Sequence, residues 1–108
     1  MRFIKDSLEE REWRGIMKLT IKFRGPIARQ FKEGILVIDI EDGVSINQLL
    51  VMLLDQNPNL QRIWNEPSDV DRDTMILRNE VDIGVIEGLD SILEDADVLT
   101  VLPLVHGG

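Results

Sequence analysis

One amphipathic helix is the pattern that most constrains the fold of this chain. Ser45 stands three residues before Gln48, the spacing of a capping box that starts a helix, and Pro58 cannot continue one. Between them, apolar residues recur at helical spacing on one side: Ile46, Leu49, Leu50, Leu53 and Leu54. We therefore predict a helix of about three turns whose leucine stripe faces the core.

Strand patterns lie on both sides of this helix. Residues 18–23 alternate between apolar and polar, and residues 35–40 repeat the alternation after a break at Gly25-Pro26. We predict that these two strands form an antiparallel hairpin with a long loop. Further strands are predicted at residues 74–77, 81–85 and 98–102, with a turn that leads into a brief 3₁₀ or helical piece at 88–93. Residues 59–73 read as an irregular, acidic loop with room for a helical turn.

The order of these elements predicts one α+β domain, a mixed sheet of four to five strands with one main helix packed on one face. A chain of 108 residues with 44% hydrophobic residues suits a single domain. We expect this domain to span residues 17–103. Residues 1–16 form an N-terminal extension, either disordered or a short helix, and residues 104–108 form a flexible tail.

Composition excludes several kinds of chemistry. The chain has no cysteine, hence no disulfide, thiolate metal site or cysteine nucleophile. His106 is the only histidine, so neither a zinc set nor a catalytic triad can be assembled around it. The longest apolar run, at residues 49–54, is far shorter than the ~20 residues of a membrane span. We expect a soluble, cytoplasmic protein that does not bind a membrane.

Acidic residues are concentrated in the second part of the chain. Residues 66–108 hold two Arg against eleven Asp and Glu, a net charge of −9, whereas residues 1–65 carry +1. Such a surface repels nucleic acid and favours a partner with a basic face. Alternatively, the charge only keeps the domain soluble.

One acidic cluster imitates a calcium loop. Asp69, Asp71, Asp73 and Glu80 occupy ligand positions of such a loop, but Thr74 stands where the sharp turn needs glycine. We therefore predict a solvated acidic loop and no metal site. Nothing else in the sequence nominates a catalytic cleft, so we expect a protein without an active site of its own.

The C-terminal segment offers different chemistry. An apolar strand from Val98 is stopped by Pro103, which we expect to end the strand pairing, and a short tail then reaches Gly107-Gly108. Glycine passes through narrow slots and leaves a terminal carboxylate open to attack. A carboxylate becomes an acyl donor once AMP is attached to it. We predict that Gly108, with Gly107 before it, is the reactive end. We expect a partner enzyme to use the ATP and Mg²⁺, and we expect the chain itself to bind no cofactor.

The last strand also predicts a docking surface. If Leu99 and Val101 face the helix, alternation sends Thr100 and Leu102 to the open face of the sheet. Leu102 and Leu104 then form an exposed apolar patch, which favours a partner. The predicted partner-binding residues are Thr100, Leu102, Pro103, Leu104, Val105 and His106.

Residues 17–108 resemble the ubiquitin-like β-grasp sulfur carriers, most closely the small subunits of molybdopterin synthase. The resemblance rests on residues 89–98, on the proline-bearing Gly-Gly tail at 102–108, and on Asn79 in the turn after the third strand. Ala96 stands where the family often has glycine.

By this resemblance, an adenylating enzyme related to ubiquitin activators acts on Gly108, and a sulfur relay converts it to a thiocarboxylate. The large subunit of molybdopterin synthase then accepts the tail. Three alternatives stay open: a ubiquitin-like modifier joined to lysines through Gly108, a sulfur carrier for thiamine or tRNA thiolation, and a β-grasp binding module whose tail is idle.

Overall fold

The alternating residues near the start of the domain form the predicted hairpin. The computed structural model describes residues 15–104. Strand β1 (Ile16–Phe23) pairs antiparallel with β2 (Ile35–Glu41). Their apolar faces meet the core because each strand alternates, and β1 is the more deeply buried of the two. Two short 3₁₀ turns, Pro26–Gln30 and Lys32–Gly34, fill the loop between them.

Helix α1 (Ile46–Gln56) begins at the predicted capping box. The Gln48 amide donates to Ser45 Oγ at 3.1 Å, and the Ser45 amide donates to Gln48 Oε1 at 2.9 Å. All five residues of the apolar stripe are buried against the sheet. The predicted helix and its role in the core are therefore confirmed.

Residues 59–73, predicted as an irregular loop with room for one helical turn, are mostly helical, so the prediction of an irregular loop is wrong. Two short helices, α2 (Pro58–Gln61) and α3 (Pro67–Asp73), each begin with a proline, whose fixed φ suits the first helical position. Leu60, Trp64 and Val70 pack from this segment into the core. The apolar residues of this segment do not recur at helical spacing, so the sequence pattern did not indicate either helix.

The acidic cluster also differs from its prediction as a solvated loop. Asp69, Asp71 and Asp73 lie on α3, and Arg72 pairs with Asp69 at 3.2 Å and with Asp73 at 2.9 Å. Hydrogen bonding to Asp73 raises the pKa of Arg72. Within residues 15–104, no group of three or more acidic or histidine side chains is placed to hold a metal ion.

Three further strands complete the sheet: β3 (Thr74–Arg78), β4 (Val81–Asp82) and β5 (Val98–Pro103). The strand order is β2-β1-β5-β3-β4, with β1 and β5 parallel and the other pairs antiparallel. The strand predicted at 81–85 has only two residues. The Asp82 side chain accepts a hydrogen bond from the Gly84 amide at 2.8 Å, and a 3₁₀ turn, Ile83–Val85, follows.

The predicted architecture is confirmed as a five-stranded mixed sheet with one main helix on one face. Buried residues of β1, β3 and β5 meet those of α1 in one core. The other face of the sheet stays open, and β5 occupies the centre. This position fixes the strand that leads to the C-terminal tail.

Candidate functional site

The candidate site is the end of β5, where the central strand leaves the sheet. β5 pairs with β1 from Thr20–Val98 to Phe23–Val101, and with β3 from Arg78–Leu99 to Thr74–Pro103. Leu99 and Val101 are each 2% exposed, so the predicted inward alternation is confirmed. Pairing on both sides gives the tail a rigid base.

The sequence predicted that Pro103 ends the strand pairing, and this is true on only one side of β5. The Leu104 amide, one residue further on, donates at 3.2 Å to the carbonyl of Asp73, the last residue of α3, which directly precedes β3. Successive amides of a strand point to opposite neighbours, so the Pro103 nitrogen faces β1, where pairing stops at Val101. The missing donor therefore releases β5 from β1 while β3 still holds it.

A glycine in the first loop lets Pro103 sit at this position. Gly25 has a φ of +77°, and a Cβ added to it would lie 2.7 Å from Pro103 Cγ. Both the backbone conformation and the close approach require glycine. Sequence reasoning treated Gly25-Pro26 only as a strand break, because the contact joins residues far apart in the chain.

Replacing this glycine by alanine tests the contact. We expect Gly25→Ala to lower the free energy of unfolding by about 2 kcal/mol or more, because it adds a clash with Pro103 to the strain of a positive φ. Gly43→Ala is the control, since Gly43 has a φ of +88° with nothing within 4 Å of its added Cβ. Equilibrium urea unfolding measures both, and equal losses would contradict the Pro103 contact.

The apolar residues predicted on the open face lie beside the end of β5, and Met75 lies next to them. Thr100 and Leu102 are half-buried on this face, and Leu104 is 40% exposed. Met75 of β3 lies opposite Leu102 and is 38% exposed. Met75 was missed because strand order, which the sequence does not reveal, makes it a neighbour of β5.

A buried carboxylate fixes the other end of β5. Asp97 accepts hydrogen bonds from Arg78 Nε at 2.9 Å, Asn79 Nδ2 at 2.9 Å and the Glu94 amide at 2.8 Å. Asn79 Oδ1 in turn accepts from the Val98 amide at 2.9 Å. Asn79, which the resemblance singled out, therefore fastens the β3–β4 turn to the start of β5.

Ala96 and Asn79 both adopt left-handed backbone conformations in this region, with φ of +70° and +50°. Asparagine tolerates this conformation better than other non-glycine residues, whereas alanine does not. The positive φ of Ala96 explains physically why glycine suits the position.

Half of the predicted site lies outside the described part of the chain. Thr100, Leu102, Pro103 and Leu104 are placed together at the strand end, as described above. The predictions for Val105, His106, Gly107 and Gly108 fall outside residues 15–104. Over those described residues, none of the helices has the length and apolar character needed to span a membrane.

A helix on one face of a mixed sheet, with the last strand central and parallel to the first, is the ubiquitin-like β-grasp arrangement. The domain therefore has the ubiquitin-like fold. The model of the ThiS family matches residues 26–108, so the chain belongs to that family, one of ubiquitin-like sulfur carriers. The expected family is thereby confirmed.

Solved structures agree with this assignment. The small archaeal modifier protein 1 from Methanosarcina acetivorans is 25% identical, with a TM-score of 0.66, over 87% of this chain and 99% of that one. One chain of the complex between subunits 1 and 2 of the molybdopterin-converting factor from Helicobacter pylori is 26% identical, with a TM-score of 0.54, over 85% of this chain and 100% of that one. A putative molybdopterin converting factor subunit 1 from Pyrococcus furiosus, 21% identical with a TM-score of 0.64 over 82% and 99% of the two chains, shares the fold. No curated protein matches the sequence significantly.

Proposed function

We propose that this chain is a sulfur carrier for molybdopterin synthesis whose reactive group is the Gly108 carboxylate. The observation that carries the proposal is the course of β5, which pairs with both neighbours and is continued by the Leu104 hydrogen bond to Asp73, at the junction of α3 and β3. Four residues ending in Gly107-Gly108 follow this fixed base. Membership of a sulfur-carrier family and the similarity to the Helicobacter pylori complex support it.

The chemistry takes place on the terminal carboxylate. One of its oxygens attacks the α-phosphorus of ATP, held with Mg²⁺ by an adenylating enzyme, and pyrophosphate leaves. A hydrosulfide ion supplied by a sulfur relay then displaces AMP and loses its proton, which leaves a thiocarboxylate. That sulfur displaces a leaving group from a carbon of the acceptor, and water hydrolyses the resulting thioester, which restores the Gly108 carboxylate and leaves a thiol on the acceptor. The chain supplies the reacting group and its positioning, and the partners supply the active sites.

The open face is the surface that we assign to these partners. Leu102 and Leu104 with Met75 present apolar area next to the tail, and Thr100 lies beside them on β5. Buried apolar contact of this kind gives affinity, while the acidic residues of the second half orient a basic partner. The large subunit of molybdopterin synthase and the adenylating enzyme are the proposed partners, acting in the cytoplasm.

Intact mass spectrometry tests the proposal directly. After incubation with its adenylating enzyme, ATP, Mg²⁺ and a sulfur donor, we expect the mass to rise by the difference between one sulfur and one oxygen, with the change located on the C-terminal peptide. Omission of ATP is the control. An unchanged mass with an enzyme that adenylates the chain would contradict the proposal.

A ubiquitin-like modifier is the second candidate function, favoured by the similarity to the archaeal modifier from Methanosarcina acetivorans. In that case an amine of a target lysine, rather than sulfur, displaces AMP from Gly108. Tryptic peptides of cellular proteins would then carry a Gly-Gly remnant on lysine. Carriers for thiamine or tRNA thiolation differ only in the acceptor, so supplying each purified acceptor with the thiocarboxylate form separates them.

A further inference from the structure

A pocket lies beside the base of the tail, on the helix side of the sheet. Its volume is about 210 Å³, and we call it the tail-base pocket. Apolar walls come from Ile27 in the first loop, Ile63 and Trp64 after α2, and Pro103 at the end of β5. The pocket is thus separated by the sheet from the apolar patch that contains Leu102.

The exposure of Ile63 distinguishes this pocket from a packing defect. Its side chain is 53% exposed although it stands next to Trp64, which is only 6% exposed. The Ile63 and Trp64 amides both donate to the Leu60 carbonyl at 2.9 Å, so a tight turn holds the two side chains in place. A large apolar side chain is therefore presented to solvent beside a concave apolar wall, an arrangement typical of an interaction site.

The charges around the pocket favour an acidic occupant. Asp73 is already engaged, since its oxygens accept from Arg72 Nε at 2.9 Å, from Arg72 Nη2 at 3.2 Å and from Trp64 Nε1 at 3.2 Å. Arg24 also lines the pocket but forms no ion pair with any residue from 15 to 104. Among the same residues, the hydrogen bond of its guanidinium is to the neighbouring Phe23 carbonyl, at 3.4 Å. The pocket thus combines apolar walls with a cation that no carboxylate of residues 15–104 pairs with.

The position of the pocket points to the partner. An extended chain spans at most roughly 3.6 Å per residue, so the four residues after Leu104 reach about 14 Å. A protein that reacts with Gly108 therefore has its surface within that distance of Leu104, and the pocket shares Pro103 with the tail base. Both candidate functions start with adenylation, which makes the adenylating enzyme the partner common to them.

We propose that the tail-base pocket is a docking site for the adenylating enzyme. It accepts an apolar side chain that the enzyme carries next to an Asp or Glu, and that carboxylate pairs with Arg24. The enzyme then contacts the base of the tail on the side opposite the open face. This inference rests on the proposed function, because it requires that Gly108 is adenylated.

Ile63→Asp and Arg24→Glu test the pocket in the full-length chain. Each places a negative charge where the proposed occupant brings one, so we expect the KM for the chain in ATP–pyrophosphate exchange to rise about tenfold while kcat is unchanged. Both side chains are exposed, so neither change removes core packing. Thermal unfolding followed by circular dichroism checks that each variant is folded.

Val85→Asp is the matched control. Val85 is 74% exposed and lies beyond β4, which pairs with the end of β3 remote from Pro103. We expect this variant to keep the KM of the unchanged chain. If Ile63→Asp and Arg24→Glu had the same KM as Val85→Asp, the pocket would have no role in docking. Absence of exchange with the unchanged chain would instead overturn the proposed function, and the docking role with it.

Discussion

One alanine added after Gly108 is expected to abolish thiocarboxylate formation. In the extended chain the Gly108 carbonyl belongs to an amide, which cannot attack ATP, and the new terminal carboxylate has a methyl group beside it and lies one residue further from Leu104. Correct placement of reacting groups is worth several orders of magnitude in rate, so we expect a loss on the order of 10²-fold or more. Intact mass spectrometry after a timed reaction measures it.

A cleavable extension provides the control for this experiment. When the added residues are removed by a protease so that Gly108 is again terminal, conversion should return to the rate of the unchanged chain. This rescue shows that the domain stayed folded and that only the position of the carboxylate mattered. Conversion of the extended chain at the native rate would remove Gly108 from the role that we give it.

Loss of the Asp97 carboxylate is expected to have the largest effect on stability. Asp97 is 5% exposed, and its replacement by alanine would leave the Arg78 guanidinium, the Asn79 side chain and the Glu94 amide without their acceptor. Breaking a buried pair by removing one partner costs about 3–5 kcal/mol, because a charge stays buried without compensation. We expect Asp97→Ala to lower the free energy of unfolding by about that amount in urea unfolding experiments.

Glu94→Gln separates this effect from ordinary surface electrostatics. Glu94 also approaches Arg78, at 3.7 Å, but its side chain is 81% exposed. An exposed ion pair contributes about 1 kcal/mol or less. Similar losses for Asp97→Ala and Glu94→Gln would show that the turn network around Asp97 does not stabilise the start of β5.

Local patterns predicted much of the fold because the residues that decide a regular element are close in sequence. The Ser45–Gln48 capping box and the alternation of β1 each act within a few residues. Helices α2 and α3 escaped prediction because Leu60, Trp64 and Val70 are buried individually rather than as a periodic stripe. The two-residue β4 escaped because Asp82 caps a 3₁₀ turn where further strand residues were expected.

The candidate site divides in the same way. Inward Leu99 and Val101 with outward Thr100 and Leu102 followed from alternation alone. Met75 beside Leu102, Gly25 under Pro103 and the pocket walls of Ile63 and Ile27 depend on strand order and loop packing. No periodicity records such contacts, because they join residues distant in the chain.

By itself, the sequence determined that one helix packs on a sheet and that a Gly-Gly segment follows the last strand, since helical and strand periods and terminal residues are local properties. Only the tertiary structure decided that this strand lies at the centre of the sheet and that Asp73, at the end of α3, holds the chain one residue beyond Pro103. It also decided that Arg24, which forms no ion pair with residues 15–104, lines a pocket beside Pro103. These features depend on which distant residues come together, and that is settled by the packing of the whole domain.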